Sequence, residues 1–139
     1  MSKQPVRTFA DKSIFALLQV IVVLTTLAYG TVHQPTIAVF YFLTAVIVIC
    51  WGVDALQTGV FRFSGNLVQV PVAGAVIYAF VQIIPFGTLA EVGGVSGIPR
   101  TISLEPFWTQ MFALHILALL LILSAALVFI DSAARLRKM

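Results

Sequence analysis

Between Pro106 and Ile130 the chain reads PFWTQMFALHILALLLILSAALVFI, without one full charge. As a helix of about 1.5 Å per residue this run reaches about 37 Å, enough to cross a hydrocarbon core of about 30 Å with some tilt. Its ends differ chemically. Phe107 and Trp108 open it, whereas Arg135, Arg137 and Lys138 follow it. Lys and Arg resist translocation and Trp prefers the water boundary, so the run reads as a membrane span whose C-terminal end is cytoplasmic.

The rest of the chain agrees with a membrane setting. Of its 139 residues 60% are hydrophobic and 9% charged, where a soluble domain carries roughly 25% charge. The length corresponds to one domain. A pI near 9.4 raises nucleic acid as a partner, but the basic residues flank apolar runs and do not gather on a water-facing surface, which excludes it. Cys50, the one cysteine, lies within an apolar run. It rules out an internal disulfide framework and a multi-cysteine metal site, and reads as a small buried apolar residue.

Residues 1–12, with Lys3, Arg7, Lys12 and Asp11, are expected to form a cytoplasmic arm. A first span follows over about 13–30, with Ser13 as N-cap and Gly30 just past its end. A basic head, an apolar run and small residues at Ala28 and Gly30 are also the parts of a signal peptide. Since the sequence runs from Met1, the expectation is a retained span. Pro35 suits the first turn of a second helix, spanning about 35–56 antiparallel to the first, with Trp51 near the inner interface and Asp54 just beyond it, reaching water. Tyr29 and Trp108 read as further interfacial anchors. A third span over about 67–84 carries Pro71 in its first turn and is stopped by Pro85. Ala73, Gly74, Ala75 and Ala79 give it a low-relief surface for helix packing. The external loop 85–105 is glycine-rich, and irregular structure with a short interfacial helix is expected there. Residues 131–139 form a basic cytoplasmic tail.

Of the eight Lys and Arg residues, this topology leaves only Arg100 outside, a strong bias under the positive-inside rule. Backbone groups in lipid must be satisfied within each segment, so every span must be helical. The expected fold is an all-α membrane protein, an antiparallel bundle of four transmembrane helices over 13–130, N-in and C-in.

Catalytic patterns are missing. Of the acids Asp11, Asp54, Glu91, Glu105 and Asp131, only Glu91 and Glu105 fall outside, in a loop too glycine-rich to hold a defined carboxylate separation. There is no phosphate-binding glycine motif, no HExxH and no CxxC, so no enzymatic activity is expected of this chain. His115 falls about 13 Å into the membrane, where an ionisable group needs a partner. Thr25, Thr44 and Tyr78 fall at similar depth, and a polar layer that sets helix register is the simplest role for all four. Contact with a lipid head group, or axial ligation of a haem or chlorophyll, is the alternative for His115; otherwise no cofactor is expected. Arg100 is suited to a phosphate, or to a solvated pair with Glu91 or Glu105. Arg135, Arg137 and Lys138 suit anionic lipid head groups.

Four stretches, AYGTVHQPTIAVFYF within 14–42, VQIIPFG at 81–87, RTISLEPFWT at 100–109 and VFIDSAARLRKM at 128–139, resemble in order the beginning of the O-antigen ligase and polymerase superfamily. The resemblance implies a bacterial inner-membrane, multi-pass protein concerned with undecaprenyl-diphosphate-linked glycans. In that family the arginines and histidine of transfer lie in later periplasmic loops, beyond the position matched by Met139, so no catalytic residue carries over. Two expectations follow. The chain is a non-catalytic relative that serves envelope glycan assembly through a polyprenyl-linked glycan or a catalytic partner. Alternatively, it is an accessory subunit of a respiratory or photosynthetic complex, facing other integral membrane proteins, lipid or pigment.

Overall fold

The computed structural model describes residues 8–27, 34–90, 94 and 96–130. Four α-helices follow one another in these residues: α1 (Phe9–Leu27), α2 (Gln34–Thr58), α3 (Gln69–Ile83) and α4 (Pro106–Phe129). Of these, α1, α2 and α4 are long and apolar enough to cross a membrane. The 15 residues of α3 rise only about 22 Å, so as a regular helix it is short of a bilayer core. The chain forms two compact units, one of residues 1–66 with 121–139, the other of residues 67–120.

In the first unit α1 and α2 pack as a hairpin. Their direction is antiparallel, since Thr8 at the start of α1 donates a hydrogen bond to Asp54 near the end of α2. The buried positions of α2 are Phe40, Thr44, Ile47, Trp51 and Asp54, and those of α1 include Asp11, Ile14, Leu18 and Ile21. Both stripes alternate steps of three and four residues. That spacing of about 3.5 keeps one seam turned towards the partner helix, as in a left-handed coiled coil.

Local chemistry sets the helix ends. Thr8 is the N-cap of α1, its hydroxyl accepting from Asp11 N–H at 3.1 Å, in the position that satisfies an orphan donor. The cap expected at Ser13 lies inside the helix, where its hydroxyl returns to Phe9 C=O at 3.1 Å. The supposed arm 1–12 therefore gives up its end to α1, which starts at Phe9 because a Thr-x-x-Asp sequence precedes the apolar run. Gly30 lies outside the described residues. Pro35 falls in the first turn of α2, and Gly59, at φ 68°, follows its last residue. In the second unit Pro71 falls in the first turn of α3, and Ile84 ends it in an extended conformation, φ −63° and ψ 125°, as a residue before proline must.

The link after α3 is paired along part of its backbone and holds no helix among its described residues; the short interfacial helix expected there falls in part on residues outside them. Phe86 N–H donates to Arg100 C=O at 2.9 Å, Arg100 N–H to Gly87 C=O at 2.8 Å and Leu89 N–H to Ile98 C=O at 2.8 Å. Thr88 and Pro99 form an antiparallel bridge. Ser103 N–H reaches back to Gln82 C=O at 3.1 Å, tying the end of the link to the last turn of α3. Gly87, Gly94 and Gly97 hold positive φ of 153°, 84° and 79° in this stretch.

Candidate functional site

The buried polar cluster of the first unit centres on Asp54, which is 1% exposed. Oδ1 accepts from the Thr8 hydroxyl. Arg62, in the link after α2, brings Nε to 3.7 Å from Oδ2. That is an ion pair and not a hydrogen bond, for which N–H donors sit at about 2.7–3.2 Å, and Oδ2 has no hydrogen-bond partner. Thr58 closes the turn by donating to Asp54 C=O at 2.7 Å. The water-exposed Asp54 expected from sequence is therefore corrected: α2 continues to Thr58 and carries the carboxylate into the seam, one α-helical turn from Trp51.

Trp51 is buried as well. Its Nε1–H donates to Arg62 C=O at 3.2 Å, its ring stacks on Phe61 at 5.3 Å, and Phe129 meets it edge-on at 5.9 Å. One residue thus gathers the end of α2, the following link and the end of α4. The arrangement holds Arg62 by its main chain while its side chain neutralises Asp54. Every bond in it joins parts of this chain, and its chemistry is that of a clasp. The TFAD sequence at 8–11 was the available signal for its first member; nothing in the spacing of Thr8, Asp54 and Arg62 announced the rest.

The other predicted residues lie as follows. Thr25 returns its hydroxyl to Ile21 C=O at 2.9 Å and Thr44 to Phe40 C=O at 2.8 Å, so both satisfy themselves on their own helices. Tyr78 is exposed on α3 and His115 half-buried on α4. Ala79 is buried, Ala73 half-buried, and Gly74 and Ala75 are exposed; a Cβ placed on Gly74 would meet nothing within 4 Å. Arg135, Arg137 and Lys138 lie outside the described residues. No three metal-ligating side chains gather among the described residues.

Arg100 is exposed, and its backbone is pinned on both sides by the ladder. Together with Phe86, Thr101 and Ile102 it lines a cleft of about 310 Å³. Its only ion-pairing candidate among the described acids of the loop, Glu105, is not joined to it. A second depression, of about 420 Å³, runs along α1 past Ala16, Gln19, Val20, Val23, Leu24 and Leu27. Comparisons with family models, characterised proteins and solved structures return no match, and nothing in them ties the chain to the O-antigen ligase superfamily.

Proposed function

We propose that the chain is a four-crossing membrane protein, N-in and C-in, that contributes to envelope glycan assembly by contact with a lipid-linked glycan or a catalytic partner, and carries no catalytic group of its own. The observation behind the topology is the meeting point at Trp51 and Asp54. The start of α1, the end of α2 and the end of α4 converge there, which supports entry and exit at one face of the membrane. That meeting point supports an even number of crossings, of which α1, α2 and α4 supply three. The fourth crossing is α3 with its flanks: the apolar stretch from Leu67 to Ile84 covers about 27 Å if drawn as a helix. Lys12 in the first turns of α1 and Arg62 beside Asp54 belong to that same end, in keeping with a cytoplasmic placement.

Contact is the mode of action that the surface favours. No more than 28% of any of the three long apolar windows is buried within the chain, which leaves most of each helix for lipid or for other helices. The link to glycan assembly rests on the resemblance of RTISLEP and DSAARLRK to the ligase superfamily. Mild-detergent co-purification of the native protein tests it. Glycan transferases or polymerases are the expected companions; redox or pigment proteins would transfer the chain to the accessory-subunit reading.

A further inference from the structure

Around Arg100 three features coincide that a lipid phosphate needs. Arg100 lines a cleft together with Thr101 and the apolar residues Phe86 and Ile102. The main chain beneath it is immobilised by two hydrogen bonds, from Phe86 N–H and to Gly87 C=O, so the cation projects from a fixed base. Phe86, Leu89, Ile102, Leu104, Phe107 and Trp108, all in the link or the first turn of α4, are exposed, apolar surface that water disfavours and a head-group region accepts. The Thr101 hydroxyl is already committed to Ser103 C=O at 2.6 Å, which leaves the charge of Arg100 to select the ligand.

We infer that the cleft at Phe86, Arg100 and Ile102 binds the phosphate of a membrane lipid. The guanidinium takes two phosphate oxygens through its paired N–H groups, and the first carbons of the lipid lie against Phe86 and Ile102. An exposed arginine in free water would hold a phosphate weakly. At the membrane boundary the lower dielectric strengthens the pair, and the chain of the lipid supplies apolar burial that a free ion lacks. The inference deepens the glycan-assembly reading by naming a ligand chemistry and depends on its membrane placement of α4.

Native mass spectrometry of the full chain in detergent micelles tests it, with phosphatidylglycerol, undecaprenyl phosphate and diacylglycerol as probes and inorganic phosphate as competitor. Both phosphate lipids are expected to bind and diacylglycerol to bind at least about tenfold more weakly. Arg100→Gln should lower phosphate-lipid binding about tenfold, the loss expected for a charge-assisted pair, and Arg100→Lys should fall between. The side chain is exposed and its ladder bonds are main-chain, so both variants keep the fold. Equal binding by Arg100→Gln, or diacylglycerol binding as tightly as the phosphate lipids, overturns the site. Displacement by equimolar inorganic phosphate overturns the lipid as its source. Equal affinity for the two phosphate lipids supports the site while removing this support for the glycan reading, whereas a preference for undecaprenyl phosphate supports both.

Discussion

Asp54 illustrates how one side chain can join three parts of a chain. A carboxylate taken out of water costs several kcal/mol unless it is neutralised and hydrogen-bonded. Here Thr8 and Arg62 supply those two needs from opposite sides in sequence. Thr8→Ala removes the N-cap of α1 and the donor to Asp54 together, so thermal unfolding in detergent should show a loss of about 2 kcal/mol, and Thr8→Ser should retain most of it. Arg62→Met leaves the buried charge alone. The expected loss is about 2 kcal/mol, below the ~3–5 of a fully enclosed pair because the Arg62 side chain keeps 26% exposure. Adding Asp54→Asn to that variant should restore part of the loss, since the charge that lacked a partner is then gone. A purely additive double variant would show that the pair contributes nothing. Sequence reasoning set Asp54 in water because a charge near a span end usually finds water; its actual partner, Thr8, is 46 residues away.

At the scale of the helices, the end signals were legible and the packed faces were not. Pro35, Pro71 and Pro85 mark boundaries because the missing N–H and the ring restrict what can precede them, and they sit where expected. The seams of α1 and α2 could not be read in the same way. A helix bounded by lipid is apolar on all sides, so its buried stripe does not stand out from the rest as it does on a surface helix in water. Only the arrangement shows that Phe40, Thr44, Ile47 and Trp51 turn inward while Phe42 and Ile49 turn out. The small-residue stretch of α3 poses the converse question. With no atom near a Cβ at Gly74, Gly74→Ala should stabilise the isolated chain by up to about 1 kcal/mol through helix propensity. In the native assembly the same change should reduce recovery of a partner, if a helix of that partner approaches there as closely as small residues allow; unchanged recovery assigns this face to lipid.

For the whole molecule the proposed topology is open to labelling. In a Cys50→Ser background, single cysteines at Ser2, Asn66 and Ser96 should divide, the first two reacting with an impermeant maleimide only after the cytoplasmic face is opened and the third reacting from outside. Reaction of Asn66→Cys and Ser96→Cys from the same side would remove the crossing by α3. Helical structure, the membrane as solvent and the ends of the apolar runs were determined by sequence alone, because each follows from local composition: unbroken apolar runs must satisfy their backbone bonds internally, and prolines interrupt them. The enclosure of Asp54 and Trp51, the ladder beneath Arg100 and the seam between α1 and α2 were decided only by the tertiary structure. Each depends on contacts between residues distant in the chain, and an apolar sequence whose faces look alike carries no local mark of which of them will meet.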